Sequence, residues 1–105
     1  MENKYSVVIT TTSTKEDAEK IAMALLNQKL AACIQVSQIK SYFTWKDEMS
    51  KDDEQILMIK CKHGDYAEIE KCIKENHSYD IPEIIQLPIS NGLPAYMNWI
   101  NEVTK

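Results

Sequence analysis

The sequence predicts an α+β fold in which two helices cover one face of a single antiparallel sheet. Two observations support this prediction. Segments rich in β-branched residues alternate with segments whose apolar residues recur at helical spacing, in the order β-α-β-β-α-β. The chain has 105 residues, of which 44% are apolar and 27% charged. That size and composition are typical of one soluble globular domain, here residues 1–105.

The N-terminal third of the chain predicts a strand followed by a helix. Tyr5–Thr12 is rich in β-branched residues and contains neither Gly nor Pro, as is typical of a strand. Ser13 and Glu16 have the spacing of a capping box and indicate the start of the helix. We expect this helix to end near residues 27–29 and to bury one apolar face, formed by Ala18, Ile21, Ala22 and Leu25.

A long hairpin is predicted after the first helix. Ala32–Trp45 contains neither Gly nor Pro and predicts an extended second strand. Its apolar residues change parity between Val36 and Ile39, which predicts a bulge or bend there. A polar turn at residues 46–48 leads into the third strand. The apolar residues of Ile56–Ile59 occupy both parities, so we expect cover on both faces of that strand.

The second half of the chain repeats the order of helix and strand. Asp65 and Glu68 indicate the start of a second helix, whose buried face is expected to comprise Tyr66, Ile69, Cys72 and Ile73. Glu83–Leu87 predicts the fourth strand, because the flanking prolines cannot donate a ladder hydrogen bond. Asn91-Gly92 predicts a turn, and Pro94 opens an extra C-terminal helix. This order is the split βαβ, or ferredoxin-like, pattern.

Charge and hydropathy exclude two classes of partner. The formal net charge is −4 and the 12 basic residues are scattered, so the basic stripe that nucleic acids require is missing. The apolar run near the N-terminus, Val7–Ile9, is too short for a signal peptide or a membrane span. We therefore expect a cytoplasmic protein that contacts neither nucleic acid nor membrane.

Catalytic signatures are missing from the sequence. It contains no Gly-rich phosphate loop, no G-x-S-x-G elbow and no H-E-x-x-H zinc motif. The three cysteines, Cys33, Cys61 and Cys72, are an odd number without C-x-x-C spacing and predict no disulfide framework. Cys33 has apolar neighbours, so we expect it to be structural rather than reactive. We expect no enzymatic activity and no organic cofactor.

The second and third strands are too long for the body that carries them. About 13 residues at about 3.3 Å each span roughly 43 Å, whereas a compact domain of this size has a diameter of roughly 33 Å. The tip carries Tyr42, Phe43 and Trp45, and an overhanging strand leaves backbone groups unpaired. We expect self-assembly to cover this hairpin. The alternative is a solvated hairpin with exposed aromatic residues.

A polar cluster lies directly before the fourth strand and contains His77, Tyr79, Asp80 and Glu83. Polar residues fixed at the end of a buried strand are well placed to form a binding site. Three roles remain open for His77, namely metal ligand, general base or hydrogen-bonded structural residue. Copper and zinc sites use two or more imidazole or thiolate donors, and the only other histidine, His63, lies on the far side of a helix.

Six short motifs occur in order along nearly the whole chain. They are L-A-A-C at Leu30–Cys33, S-Y-x-x-W at Ser41–Trp45, E-x-x-L-x-I-K at Glu54–Lys60, H-x-Y-x-x-P-E-I at His77–Ile84, L-P-I at Leu87–Ile89 and G-x-x-x-Y-x-x-W at Gly92–Trp99. Together they resemble the CutA family, the divalent-cation tolerance proteins. The resemblance implies a ferredoxin-like homotrimer whose long hairpins pair across subunits, with a role in the tolerance of copper and other divalent metals.

The resemblance also implies a ligand cleft between subunits, similar to that of PII-type signalling proteins. The residues expected to line it are Tyr42, Trp45, Glu54, Lys60, Tyr79 and Glu83. Its ligand would be a small charged molecule or a divalent cation, copper or zinc, held at His77. Tyr42 and Trp45 are alternatively expected to pack at an interface. The second function that the resemblance implies is a PII-like regulatory module that binds a metabolite and a partner protein.

The chain departs from the family pattern at several positions. Ser78 replaces a proline before the tyrosine, and Asp47 replaces a glycine in the hairpin turn, where it must adopt a left-handed conformation. Relatives credited with a copper site carry a cysteine and a histidine at the positions of Thr10 and Asn76. Only His77 remains of the three implied ligands.

Overall fold

The computed structural model describes residues 3–105. Within them the protein forms four strands and three α-helices, with bounds β1 Tyr5–Thr12, α1 Lys15–Asn27, β2 Cys33–Trp45, β3 Glu48–Lys62, α2 Tyr66–Asn76, β4 Ile84–Pro88 and α3 Pro94–Val103. The strands pair antiparallel in the order β2-β3-β1-β4. The predicted element order and the ferredoxin-like α+β fold are confirmed. No helix in this part of the chain is both long and apolar enough to cross a membrane.

The core lies between the sheet and the helices α1 and α2. β1 occupies the centre of the sheet, where it pairs with β3 and β4. Alternate residues of β1 and β3, among them Val8, Leu57 and Ile59, are fully buried, which places them on the face that the two helices cover. The helices contribute the residues Ala18, Ile21, Leu25, Ile69, Cys72 and Ile73 to the same cluster.

Helix α1 begins one residue later than the capping box predicts. Thr14, not Ser13, is the N-cap, and its side chain accepts a hydrogen bond from the Asp17 N–H at 3.1 Å. The buried hydroxyl of Thr12 donates to the Thr14 carbonyl at 2.8 Å, which fixes the turn so that Thr14 reaches the helix. The helix ends at Asn27, as predicted.

The long hairpin is present, but the predicted bulge is wrong. Pairing continues without interruption from Val36 opposite Leu57 to Ile39 opposite Glu54. The parity change has another cause. Val36 lies on the face that the helices cover, whereas Ile39 lies on the opposite face, beyond the last residue of β1 that pairs with β3. The apolar residues change face where the body of the protein ends.

The third strand is covered on one face within a single chain. Leu57 and Ile59 are fully buried against the helices, but Met58, on the opposite face, is 39% exposed. The expectation of cover on both faces is therefore wrong at Met58 within the isolated chain. A second apolar layer must come from outside the chain if this face is to be buried.

The hairpin overhangs the body as its length predicts. β1 pairs with β3 only as far as Gln55, whereas β2 and β3 remain paired to Trp45 and Glu48. The molecule measures 44 × 28 × 22 Å along its principal axes. The turn is a two-residue connection in which Lys46 and Asp47 have φ of 51° and 64°. Asp47 adopts the left-handed backbone conformation expected of a residue at this glycine position, and Lys46 adopts it as well.

The start of α2 differs from its prediction. Asp65 occupies the N-cap position but makes no side-chain capping bond. A short 3₁₀ turn, His63–Asp65, precedes the helix, and the Asp65 Oδ2 atom is buried without a hydrogen-bond partner among the described residues. The buried face of α2 is otherwise as predicted, except that Tyr66 is only half-buried and donates to Glu70 at 2.7 Å.

The C-terminal elements follow the sequence closely. β4 begins one residue later than predicted, which leaves Glu83 outside the strand. Pro94 is at the first turn of α3, as predicted. Gly92 does not adopt a positive φ. A Cβ atom there would lie 2.7 Å from the Cε atom of Met97, so a larger residue would require this flexible side chain to move.

Candidate functional site

The candidate site lies where the overhang leaves the body. The loop between α2 and β4, residues 77–83, passes the end of β1 and reaches the base of the hairpin. His77 Nε2 lies 2.7 Å from the Thr11 carbonyl oxygen. The Tyr79 hydroxyl donates to Glu54 Oε2 at 2.7 Å. Ser78 donates to Asp17 at 3.1 Å and thereby joins the loop to α1.

Both ring nitrogens of His77 are engaged. A carbonyl oxygen only accepts, so Nε2 carries the hydrogen and donates to Thr11. Nδ1 then has a free lone pair, which accepts the Tyr79 backbone N–H at 3.1 Å. The His77 and Tyr79 rings lie 4.8 Å apart between centroids. In this arrangement His77 is a neutral residue that orients Tyr79, and a metal ligand role would require it to release one of these hydrogen bonds.

Glu54 and Tyr79 form a partly desolvated pair. The side chain of Glu54 is polar, yet the residue is only 8% exposed. Burial raises the pKa of Tyr79 to about 12, and the hydrogen bond to Glu54 and the negative charges of Glu54 and Asp52 act in the same direction, against a smaller effect of Ser13. Tyr79 therefore stays neutral and donates to Glu54 across the physiological pH range.

Three of the other residues predicted to line the cleft lie farther along the hairpin. Lys60 is six residues from Glu54 on β3, roughly 20 Å away, and donates to Gln35 at 2.6 Å. Tyr42 lies opposite Lys51 and Trp45 lies near the turn, roughly 10 and 20 Å from Glu54 in the other direction. Glu83 is exposed. One chain thus assembles Glu54, Tyr79 and His77, and strand geometry keeps Lys60, Tyr42 and Trp45 away from them.

The cysteines lie away from this site. Cys61 and Cys72 are buried, and burial raises the pKa of the Cys61 thiol to about 12, which makes it a poor nucleophile. Cys33 is half-buried at the start of β2. It lies beside Tyr96 of α3, whose pKa is raised by burial and by the neighbouring Cys33. A structural role for Cys33 stays a prediction.

The three implied copper positions do not form a donor set. Thr10 Oγ1 is buried on the covered face of β1 and has no hydrogen-bond partner among residues 3–105. Asn76 uses its side-chain amide to donate to the Cys72 carbonyl at 2.8 Å. Across the described residues, no group of three or more His, Cys, Asp or Glu side chains is arranged to hold a metal ion.

Sequence reasoning missed the Thr11 carbonyl and the contact between Ser78 and Asp17. A backbone carbonyl is present at every position, so no residue type marks the one that His77 contacts. The Ser78 contact joins a loop to the first turn of α1, 61 positions away in the chain, and neither residue type is unusual at its position. Only the tertiary fold shows these two contacts.

The fold and the site together define a class of protein, a small ferredoxin-like α+β protein with an overhanging β2–β3 hairpin and a Glu-Tyr-His cluster at its base. The sequence model of the CutA1 divalent ion tolerance protein family matches residues 6–103. The chain belongs to this family.

Individual relatives match along nearly the whole chain. The divalent-cation tolerance protein CutA of Archaeoglobus fulgidus is 35% identical over 101 residues, which cover 96% of this chain and 99% of that protein. The chloroplastic protein CutA of Arabidopsis thaliana is 34% identical over 100 residues, which cover 94% of this chain and 55% of that longer protein. The chain thus corresponds to about half of the plant relative.

Solved structures match the fold equally well. The structure of the A. fulgidus protein, described as periplasmic, has a TM-score of 0.93 at 35% identity and covers 96% of this chain and 99% of its own. CutA1 from Shewanella sp. SIB1 has a TM-score of 0.94 at 32% identity, with 99% and 98% covered. Both similarities extend over the long hairpin as well as the body.

Proposed function

We propose that this protein contributes to divalent-metal tolerance as a non-enzymatic, cytoplasmic homotrimer. Each cleft between subunits would bind a divalent cation, copper or zinc, or a small charged ligand. The family model over residues 6–103 supports the link to divalent-ion tolerance. The observation that carries the assembly is the overhang of β2 and β3 beyond Gln55, because one chain leaves it uncovered.

Exposed apolar side chains support assembly. Tyr42 and Trp45 are 65% and 60% exposed on the overhang. On the body, Met58, Ile85 and Leu87 are exposed on the face opposite the helices. Apolar surface of this extent on a small protein favours burial against another chain. Further copies of the same chain would cover the hairpin and the open face of the sheet together.

The two faces of the overhang differ in charge, which favours a ring over a two-fold dimer. Strand alternation places Glu48, Asp52 and Glu54 on one face. The opposite face carries Lys40, Lys51 and Asp53, and Lys40 Nζ lies 3.7 Å from Asp53. An acidic face that meets the more basic face of the next copy makes a head-to-tail contact, and such contacts close into cyclic oligomers.

Assembly would also complete the ligand cleft. Glu54 and Tyr79 are together in one chain, whereas Tyr42, Trp45 and Lys60 are too distant to join them. A neighbouring hairpin is the means by which these residues could share one cleft. Asp52 and Glu54 point to the same side and offer oxygen ligands to a cation. His77 would add an imidazole only after it releases Thr11 or Tyr79.

The alternative function, a PII-like regulatory module, receives no support from the family match or from the relatives, which are named for divalent-cation tolerance. Cytoplasmic localisation remains a prediction for this chain. One relative of known structure is described as periplasmic.

The assembly is tested by sedimentation velocity over a range of protein concentrations. We expect a trimer at micromolar concentration. Lys51→Glu makes both faces acidic and is expected to shift the equilibrium toward monomer, most strongly at low salt. Lys20→Glu, an exposed change on α1, is the matched control and should leave assembly unchanged. A wild-type chain that sediments as a monomer would refute the proposal.

Metal binding is tested by titration with Cu(II) and Zn(II), read by equilibrium dialysis and metal analysis. We expect saturable binding that Glu54→Gln and His77→Ala each weaken, while Glu19→Gln on the exposed side of α1 has no effect. The double variant Thr10→Cys, Asn76→His restores the implied donor set and should bind Cu(II) more tightly. Binding that neither Glu54→Gln nor His77→Ala changes would move the metal away from this cluster.

A further inference from the structure

A cavity lies at the other end of β1, beside the N-terminal residues of the described chain. Its volume is about 670 Å³, within the range of roughly 300–1,000 Å³ that small-molecule sites occupy. Lys4, Lys62, His63, Gly64 and Asp65 are among the residues that line it. The eight residues of β1 separate it by roughly 23 Å from the Glu54–Tyr79 cluster, so it is independent of the proposed metal site.

A buried hydrogen-bond network fixes the orientation of His63. Gln86 Nε2 lies 3.0 Å from both the Ser6 hydroxyl and the His63 carbonyl oxygen. An amide nitrogen only donates, so Ser6 Oγ accepts from it. The Ser6 hydroxyl oxygen is 2.7 Å from His63 Nδ1, so these two atoms share a hydrogen bond. Ser6 is fully buried. The backbone N–H of His63 donates to the Lys4 carbonyl at 2.8 Å.

This network determines which group His63 presents. Because Nδ1 is engaged with Ser6, Nε2 is the ring nitrogen left for a ligand, and it makes no hydrogen bond within residues 3–105. His63 therefore presents Nε2 on a side chain that is held in place by the buried Ser6. Such supporting partners are typical of binding sites, in which the orientation of a ligand-contacting group must be fixed.

The other lining residues favour an anion. Lys4 and Lys62 carry positive charge, and Lys62 Nζ is positioned by the Lys105 carbonyl at 2.7 Å. Gly64 leaves its backbone open to close approach, since nothing lies within 4 Å of the place a Cβ would occupy. Asp65 is the one acidic residue of the lining, and its Oδ2 atom is buried, so the two lysines outnumber the acidic groups.

We propose that this cavity binds the phosphate group of a small phosphorylated metabolite, with Lys4, Lys62 and the Nε2–H of His63 as the donors. Two ammonium groups and an oriented imidazole match the charge and the several acceptor oxygens of a phosphate monoester. The remaining volume accommodates a group the size of a sugar. Ser6 and Gln86 are positioning residues, because they act on the ligand only through His63.

The test is calorimetric titration of the full chain, in its native assembly, with ribose 5-phosphate, inorganic phosphate and succinate. We expect saturable binding of both phosphates and weaker binding of succinate. Lys4→Gln, an exposed change, and His63→Phe should each weaken phosphate binding about ten- to a hundredfold. Lys15→Gln, an exposed lysine outside the cavity, is the matched control and should bind as the wild type does.

Ser6→Ala separates positioning from a direct contact. It removes the hydroxyl that orients His63, so we expect weaker phosphate binding and a change in the ¹⁵N signals of the His63 ring. The contribution of Lys4 to phosphate binding should not change. Three results would overturn the proposal. They are no saturable binding at millimolar phosphate, binding that Lys4→Gln and His63→Phe leave unchanged, and succinate that binds as tightly as ribose 5-phosphate.

Discussion

The two halves of the β2–β3 hairpin have the same strand pairing and opposite surroundings. Beside β1, Leu57 and Ile59 are fully buried under the helices. In the overhang, Trp45 and Met49 are 60% and 85% exposed. The ladder of paired residues is continuous through both halves, so pairing alone does not distinguish them. Cover by other elements does, and stability should depend on the helices in one half and on neighbouring chains in the other.

The strongest test of this comparison removes a buried side chain. Leu57→Ala leaves a cavity between β3 and the helices and is expected to lower the free energy of unfolding by about 2–5 kcal/mol. Urea unfolding at fixed protein concentration measures it. Met49→Ala, on the same strand in the overhang, should change the free energy of unfolding by less than about 0.5 kcal/mol. Equal effects of the two variants would mean that the halves do not differ in this way.

Substitutions in the overhang should weaken assembly, whereas substitutions in the body should lower the free energy of unfolding. Trp45→Ala removes a large exposed aromatic ring, and such residues often contribute about 2 kcal/mol or more to an interface. We expect at least a tenfold weaker trimer in sedimentation equilibrium, with an unchanged far-UV circular dichroism spectrum. Loss of secondary structure in this variant would show instead that Trp45 stabilises the single chain.

Tyr79 lies at the boundary between the two halves. Tyr79→Phe leaves the nearly buried Glu54 carboxylate without its donor, and we expect a loss of about 1–3 kcal/mol in the free energy of unfolding. The pKa of Tyr79 is raised to about 12 in the folded protein. Its contribution is therefore complete below pH 10 and is lost as the pH rises from 10 to 12.

The pH dependence checks this assignment. The difference in unfolding free energy between the wild type and Tyr79→Phe should be constant from pH 7 to pH 9 and should shrink above pH 10. Subtraction removes the contributions of other groups that titrate in the same range, such as Cys61. A difference that grows with pH would contradict the hydrogen bond from Tyr79 to Glu54.

The strands and helices of the body could be predicted from local sequence patterns, whereas the point along the hairpin at which β1 ends could not. The periodicity of α1 and the residue types of Tyr5–Thr12 depend on near neighbours, and the structure agrees with both. The prediction of a bulge between Val36 and Ile39 was wrong. A change of parity among apolar residues looks the same in the sequence whether an extra residue is inserted or the buried face of the strand changes. That distinction depends on where β1 ends, which the sequence of β2 does not contain.

The candidate site shows the same division. The cluster of His77 and Tyr79 before β4 was visible in the sequence, and the structure places it against Glu54. The expected six-residue cleft was not reproduced within one chain, because Lys60 and Trp45 lie on opposite sides of Glu54 along the hairpin. Strand geometry separates residues that a family motif names together.

Two buried threonines of β1 differ in whether their hydroxyl groups are hydrogen-bonded, and this difference can be tested within the body. Thr10 Oγ1 is buried and unpaired within the described residues, whereas the Thr12 hydroxyl, on the same face of β1, donates to the Thr14 carbonyl at 2.8 Å. Thr10→Val replaces the hydroxyl by a methyl group of similar size and removes the desolvation cost. We expect it to raise the free energy of unfolding by about 1 kcal/mol.

Thr12→Val is the matched control, because it makes the same chemical change on the same strand but deletes a satisfied hydrogen bond. It should lower the free energy of unfolding by about 1 kcal/mol, so the two variants move the urea midpoint in opposite directions. If both destabilise, Thr10 has a partner in solution, such as a buried water molecule. If Thr10→Val stabilises, this polar residue reduces the stability of the body, and its hydroxyl is not needed to hold the sheet against the helices.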